Sequence, residues 1–342
     1  MVDKNASDLF FAPNSPVKIK IDGQIVPVNK TVLTGPMVKG IALEMMTEDQ
    51  IQKFTHDLEI DFAISEEGLG RFRVNAFHQR GTVSLVLRYI SSEVPQLSDL
   101  QLPMVLKDLV MLKRGMILMV GATGSGKSTT LAAMINERNE ASSDHVLTIE
   151  DPIEFLHANK RSIVNQRELG SDTVSYHRAL KSAMREAPDV VLIGEIRDRE
   201  TMEAALALAG TGHLAISTLH ANNAAETLDR IINMFPLQQH KQILLDLSQY
   251  LRSIISQRLV RARNGRRVAA VEVMINTPHI AELIAKGDVN AVKEAMAGTR
   301  ESGMQTFDTA LFDLFQSGKI EIEEALRNAD SRANLEAKIN FG

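Results

Sequence analysis

A chain of 342 residues, 44% hydrophobic and 24% charged, has room for two domains with ordinary globular cores. A formal net charge of −5 argues against wholesale binding to a phosphate backbone but leaves room for a local basic patch, and an aromatic content of 4% without tryptophan leaves few stacking platforms for single-stranded nucleic acid. The absence of cysteine excludes disulfides and thiolate metal sites, no apolar run approaches the roughly 18 residues that span a bilayer, and Met1-Val2-Asp3-Lys4 opens without a signal-peptide core, so a cytoplasmic protein with no membrane-spanning segment is expected.

The first ninety or so residues read as a small α+β unit. Val17–Ile21 and Gln24–Val28 flank Asp22-Gly23, a two-residue hairpin signal. Pro36–Met46 and Glu48–His56 read as helices joined near Thr47, an N-cap followed by acidic residues. Three strands come next, at Glu59–Ser65, Arg71–Phe77 and Thr82–Ile90. Alternation puts Phe72, Val74 and Ala76 on one face, and Val83, Leu85 and Leu87 on one face of the next strand, so Arg71, Arg73 and Arg88 take the opposite faces. If Phe77 pairs with Thr82, those arginines share a sheet face, as solvated charges or as functional groups.

Ser91–Pro103, rich in Ser and Pro, reads as the interdomain connection, with domain limits placed at 1–94, a linker at 95–102, a core at 103–276 and a helical region at 277–342. Within the core, apolar strands at Met116–Val120, Val146–Ile149, Val190–Ile193 and Leu214–Ser217 alternate with helical stretches such as Leu131–Arg138. That alternation implies a parallel sheet covered on both faces. Gly121-Ala122-Thr123-Gly124-Ser125-Gly126-Lys127-Ser128, then Thr129, fits G-x-x-x-x-G-K-[ST] between the first strand and its helix. Its glycines let backbone N–H groups curl around phosphates, Lys127 reaches the β- and γ-phosphates of ATP, and the Ser128 hydroxyl takes a place on Mg²⁺.

Ligands of such sheets sit outside the carboxyl ends of the strands, so the residues just after each strand are the catalytic candidates. Glu150-Asp151-Pro152-Ile153-Glu154 comes after one strand and Gly194-Glu195-Ile196-Arg197-Asp198 after another. An apolar strand ending in an acid beside a phosphate loop is the pattern that orients Mg²⁺ or polarises the attacking water. Gly194 occupies the usual Asp position, so Glu195 is the assigned base. Its alternative role is a helix-N-terminal acid complementing the dipole. Glu150 and Glu154 are second carboxylates near metal or water, and Asp151 is either a further one or a turn residue. His213 and His220 lack a convincing zinc ligand set and are assigned to sensing the γ-phosphate, with a satisfied core histidine as the alternative for each.

Arg258–Arg263 and Arg267–Ile275 flank Asn264-Gly265 as a hairpin. Its arginines at 258, 261, 263, 266 and 267 read as a solvated or subunit-facing set in preference to a nucleic-acid patch. From Pro278 the chain reads as short helices without chemistry.

Taken together, GATGSGKST, TIEDPIEF, VVLIGEIRDRETMEAALALAGTGH and STLHANNAAETLDRIINMFP resemble the Walker A, Asp, Walker B and His boxes of the secretion-type ATPases of type IV pili and type II secretion. The similarity runs from Ser7-Asp8-Leu9 to the C-terminal helices and is strongest to the pilus-retraction (twitching-motility) branch of PilT and PilU. Extension-type and type II secretion relatives usually carry a tetracysteine module, which this chain lacks. Where PilT carries Ala-Ile-Arg this chain has His279-Ile280-Ala281-Glu282, while Gly303-Met304-Gln305-Thr306-Phe307-Asp308 is similar to PilU.

The resemblance implies a PAS-like N-terminal domain, a RecA-like P-loop ATPase domain and a homo-hexamer powering or assisting retraction. It also implies an inner-membrane platform protein and a paralogous ATPase as partners, at the cytoplasmic face of the inner membrane, without nucleic acid. It places Arg73 and Arg88 at a subunit interface, and it puts a short helix ahead of the Ser-Asp-Leu stretch, so that residues preceding this start are expected. Two further readings are a nucleotide-binding accessory subunit that couples to a partner ATPase and, more weakly, a related secretion ATPase or nucleic-acid translocase.

Overall fold

Alternating buried and open positions build the first of two sheets. The computed structural model describes residues 1–4, 6–21, 23–90, 93–298 and 303–341, grouped into a unit of Met1–Glu93 with Ile153–Leu156 and a unit of Val94–Pro152 with His157–Gly342. In the first unit, β1 (Asp8–Phe11), β2 (Pro16–Ile21) and β3 (Gln24–Val32) lead into α1 (Gly35–Glu44) and α2 (Glu48–Asp57), and then β4 (Glu59–Glu66), β5 (Gly70–Gln79) and β6 (Thr82–Ile90) complete an antiparallel sheet in the order β3-β2-β1-β6-β5-β4. Thr47 starts α2 through a reciprocal capping box with Gln50. Val38, Ala42 and Phe54 of the helices pack on Val74, Ala76, Val83, Leu85 and Leu87 of the sheet.

The predicted pairing of Phe77 with Thr82 is corrected. Phe77 faces Ser84, and Gln79 faces Thr82. Arg80 and Gly81, at φ 45° and 75°, supply the two left-handed positions of a tight hairpin. The shift preserves parity and sets Arg73 directly across from Arg88. Asp22 of the first predicted hairpin, and Ser91 and Ser92 of the predicted connection, lie outside the described residues.

In the second unit, α3 (Val105–Val110), β7 (Gly115–Val120), α4 (Lys127–Ala141), β8 (His145–Glu150), β9 (Ile163–Glu168), α5 (Tyr176–Ala183), β10 (Val190–Ile193), α6 (Arg199–Gly210) and β11 (Leu214–Leu219) form the alternating core. They are followed by α7 (Ala224–Asn233), α8 (His240–Tyr250), β12 (Leu251–Arg261), β13 (Arg267–Ile275), α9 (Pro278–Lys286), α10 (Val289–Gly298), α11 (Phe307–Gln316), α12 (Ile322–Asn328) and α13 (Arg332–Phe341). The sheet order is β13-β12-β7-β11-β10-β8-β9, parallel except for the β12–β13 hairpin. Successive residues of β7 enter opposite cores, Met116, Leu118 and Val120 on one side and Ile117 and Met119 on the other, which is why the strand reads as unbroken apolar sequence. Among the described residues no helix is long and apolar enough to cross a membrane.

β1 in the first unit and two stretches of the second unit's sheet are absent from the sequence reading. The polar edge strand β9 is one. The other is the first half of β12, where buried Ser253, Ser256 and Gln257 interrupt the apolar pattern that marks its neighbours. These groups are satisfied internally: Ser253 Oγ donates to the Met274 carbonyl at 2.7 Å and Ser256 Oγ to Glu272 Oε1 at 3.0 Å. Arg258 corrects the reading of the hairpin arginines as solvated or subunit-facing. Its guanidinium turns back into its own chain, pairing with Asp330 at 2.6 Å and lying 3.8 Å over the Phe307 ring.

Glu272 is a buried carboxyl on β13. One oxygen, Oε1, accepts both the Ala224 N–H at the start of α7 (2.7 Å) and the Ser256 hydroxyl. Burial pushes its pKa up to about 7 against the opposing effect of those two bonds. A folded-state pKa above the unfolded one means that protonation favours the fold. The contribution to stability is therefore complete below about pH 4.5 and lost as pH rises through about 7. Glu272→Gln keeps a carbonyl oxygen for both donors and cannot ionise. Urea unfolding at pH 5 and pH 8 is expected to show a flatter pH dependence for the variant and a gain over the parent at pH 8 on the order of 1–3 kcal/mol. Equal pH slopes in the two proteins would show that Glu272 ionises without a burial cost.

Candidate active site

The phosphate loop begins where β7 ends. Gly121 must be glycine for two reasons, a φ of 146° and the Gln257 carbonyl and Ser125 hydroxyl, which lie 2.5 and 2.6 Å from where a Cβ would stand. Gly126, at φ 88°, caps α4 with no side-chain hydrogen bond. The first-turn N–H groups of α4 thus lack a side-chain acceptor and favour an anion. Ser125 Oγ is buried with no hydrogen-bond partner among the described residues. An uncapped helix start, left-handed glycines and an unsatisfied hydroxyl fit the phosphates of a nucleotide. Lys127 donates to the Gly121 and Ala122 carbonyls at 2.8 and 2.9 Å. Burial lowers its pKa below the ordinary amine value, with the Glu195 carboxylate opposing the shift.

Gln257 fixes the loop from the neighbouring strand. Its Nε2 donates to the Ser125 carbonyl at 2.8 Å, and its Oε1 accepts from Thr130 Oγ1 of α4 at 2.8 Å. A buried amide with both ends used makes loop and strand one rigid piece. A cleft of about 300 Å³ beside the loop is bordered by Thr123, Gly124, Asn222 and Arg258, and Thr129 borders a second hollow of about 520 Å³ with Gly126 and Leu100.

Register gathers the remaining groups. Val120 pairs with Leu219, Ile193 with Ser217 and with Ile149, so Gly121, His220, Gly194 and Glu150 all leave the same end of the sheet. Three bonds from β11 and its neighbourhood shape the turn that carries Glu195. Ser217 Oγ donates to the Ile193 carbonyl (2.8 Å), Thr218 Oγ1 to the Gly194 carbonyl (2.6 Å), and the Ile196 N–H to the Thr218 carbonyl (2.9 Å). Glu195, its side chain 14% exposed, meets His220 Nε2 at 3.3 Å and forms an ion pair with Arg197. That pairing raises the Arg197 pKa. The helix start is served instead by Asp198, which accepts the Thr201 N–H at 2.8 Å, so Glu195 does not cap α6.

Gly194 fills its position because nothing larger fits. A Cβ there would stand 2.7 Å from the Tyr176 hydroxyl and 3.2 Å from the Ile149 carbonyl. Burial holds the Tyr176 phenol well above its ordinary pKa, so it remains neutral beside the acids.

The other expected residues fall in different places. Glu150 ends β8 and accepts from Thr148 Oγ1 at 2.6 Å and Gln166 Nε2 at 3.1 Å. Ser128 is exposed in the first turn of α4. Glu154 is exposed within Ile153–Leu156, the segment that groups with the N-terminal unit. His213 is corrected as a phosphate sensor within its own chain. It precedes β11, with its carbonyl accepting the Gly115 N–H at 3.0 Å. That is the far end of a six-residue strand, about 20 Å from the loop at 3.3 Å per residue. Its Nδ1 lies 3.2 Å from the Leu208 carbonyl, a local structural contact. In the N-terminal unit, Arg73 lies 3.6 Å from Asp61 and Arg88 2.9 Å from Asp8.

Residues 1–327 match the family of type II/IV secretion system proteins. The chain belongs to that family. It is 49% identical to the type IV pilus ATPase PilU of Pseudomonas aeruginosa, over all of this chain and 90% of that protein. It is 42% identical to the type IV pilus retraction ATPase PilT of the same organism, over 97% and 96% of the two chains. A crystal structure of the pilus retraction motor PilT with bound ADP superposes with a TM-score of 0.92 at 41% identity, covering 98% of this chain and 96% of that one. This secretion-family chain is an ATPase with a PAS-like N-terminal domain, a RecA-like domain and C-terminal helices.

Four groups at this ATPase site had no role in the sequence reading: Gln257, Arg197, Thr218 and Tyr176. For Thr218 the available signal was the polar pair Ser217-Thr218 in a strand otherwise apolar, whereas Gln257 sits in a strand of mixed composition that offered none. Arg197 stood two residues from Glu195 in plain view. Tyr176 gave no local signal, because only folding brings it against Gly194. The crowding there generates a test. Gly194→Ala is expected to displace the Tyr176 hydroxyl or the turn, lowering stability by about 1–3 kcal/mol as overpacking does, and to reduce ATP turnover by misplacing Glu195. A variant with parental melting temperature and turnover would show that the turn has room the geometry denies.

Proposed function

We propose that the chain is a ring-forming motor of the type IV pilus machinery that hydrolyses ATP with Mg²⁺ to power or assist retraction. It works as a homo-hexamer at the cytoplasmic face of the inner membrane, with a platform protein and a paralogous ATPase as partners. The observation that carries the enzymatic part is the strand register that sets Glu195, His220 and the phosphate loop at one sheet end. Similarity to PilU over the whole chain supports the pilus assignment.

In this reading residues 1–94 and 103–276 act as the two working domains of each subunit, joined by 95–102 and followed by the helices of 277–342. The loop from Gly121 to Thr129 holds the phosphates on backbone N–H groups, and Lys127 exchanges its two carbonyl partners for phosphate oxygens. Ser128 and a neighbouring carboxylate hold Mg²⁺, which when bound supplies neutralisation of phosphate charge. Glu195 orients and deprotonates the attacking water. His220 and Arg197 keep that carboxylate aimed, and His220 is the group that registers the γ-phosphate. Glu150 and Glu154 are supporting carboxylates.

Lys127→Ala is expected to abolish productive Mg²⁺-ATP binding or hydrolysis, and unchanged steady-state turnover would remove the loop assignment. Glu195→Gln should still bind nucleotide while turnover falls by about 10²–10⁴. Loss of binding along with turnover would instead place Glu195 in a structural or metal-holding role.

Arg73 and Arg88, side by side on β5 and β6, act in trans on the site of a neighbouring subunit. A donated arginine can be worth about 10³–10⁵ in phosphoryl transfer. Mixing Arg73→Ala/Arg88→Ala subunits with Glu195→Gln subunits should restore some turnover, since certain interfaces would join an intact Glu195 to intact arginines. Mixed rings, verified by mass, that stay as inactive as either parent would leave these arginines to their ion pairs with Asp61 and Asp8.

A further inference from the structure

Arg258 comes directly after Gln257 on β12 and borders the cleft beside the phosphate loop. Its guanidinium makes contacts in two directions. Toward the site, Nη2 donates to the Asn222 carbonyl at 3.3 Å, two residues beyond His220. Away from it, Nη1 donates to the Asn328 carbonyl at 2.7 Å, and Nη2 pairs with Asp330 at 2.6 Å. The plane stacks on Phe307 at the start of α11.

The segment that Arg258 grips is itself anchored. Asp308 accepts the Asp330 N–H at 2.8 Å and the Ser331 N–H at 3.1 Å. Glu324 and Glu321 of the same helical region accept from the Arg261 N–H (2.9 Å) and pair with Arg263 (3.0 Å). On the site side, Asn223 caps α7, and Asn222 donates its N–H to Glu226 at 3.0 Å. One planar, five-donor group therefore joins two stiff elements, the start of α7 and the turn between α12 and α13. Lysine offers no such fork.

We propose that Arg258 is a positioning residue which couples the loop carrying His220 to the docking of α11–α13, so that turnover at Glu195 depends on a C-terminal turn remote from the reacting atoms. The coupling rests on the ATPase reading above and adds to it a control element within the same subunit. Linkage is reciprocal for binding free energies, so nucleotide in the cleft tightens the C-terminal turn only by the factor, within about threefold, that the turn contributes to nucleotide affinity.

The test uses the full-length protein and its Arg258→Gln, Arg258→Lys and Asp330→Asn variants, with Glu195→Gln as reference. Arg258→Gln and Asp330→Asn are expected to lower kcat by about 10-fold or more, up to the roughly 10²-fold that a 1 Å misplacement of a reacting group can cost, while KM for Mg²⁺-ATP stays within about threefold. Arg258→Lys keeps the charge opposite Asp330 and should keep the parental melting temperature, yet it should share the fall in kcat. Amide exchange in residues 322–335 should slow when a non-hydrolysable ATP analogue binds the parent, and not in Arg258→Lys. Parental kcat in Arg258→Lys, or losses of kcat that track losses of melting temperature across all three variants, would overturn the coupling and leave the ATPase reading intact. Parental turnover in Glu195→Gln would overturn both.

Discussion

The register of the parallel strands is the constraint on which the site depends. Four strands end at one level because Val120, Leu219, Ile193 and Ile149 are locked in adjacent ladders, and each then releases a different chemical group. A shift of one residue in any ladder would turn every side chain of that strand to the opposite face. The near-total burial of β7, β10 and β11 makes such a shift prohibitive, since both faces carry side chains packed into separate cores. The position of Glu195 is thus set by apolar packing some distance from the carboxylate itself.

Polar groups within the sheet then convert register into a defined site. Gln257 ties the phosphate loop to β12, Thr218 ties the Glu195 turn to β11, and Glu272 ties the start of α7 to both strands of the hairpin. Each is bonded to backbone or to another buried side chain, as burial requires. Such groups allow little sliding, because a broken bond would leave a buried donor or acceptor without a partner. Arg258 extends the same logic outward, to helices that contribute no side chain to the chemistry.

The charged groups of the site are held by protein contacts. Lys127 rests on loop carbonyls, and Glu195 is held between Arg197 and His220. Both sets of contacts leave these charges paired within the protein. The arginines of the N-terminal unit are paired in the same way, Arg73 toward Asp61 and Arg88 toward Asp8.

Local sequence determined the phosphate loop, the four central strands, the capped helix at Thr47 and the acid after β10, because each depends on neighbours within a few residues: glycine conformation, period-two or unbroken apolar pattern, a capping pair. Strand parity also placed Arg73 and Arg88 on one face, although their exact pairing awaited the left-handed turn at Arg80 and Gly81. Tertiary structure alone decided the rest. His213 and His220 are equivalent in a linear reading, but they stand at opposite ends of β11, so one meets Glu195 and the other does not. β12 was half hidden because its buried serines and glutamine mimic a loop until β7 and β13 supply their partners. Gly194 had no evident reason until Tyr176 came to rest against it, and Arg258 looked like a surface charge until residues separated from it by some seventy positions, Asn328 and Asp330, folded back onto it.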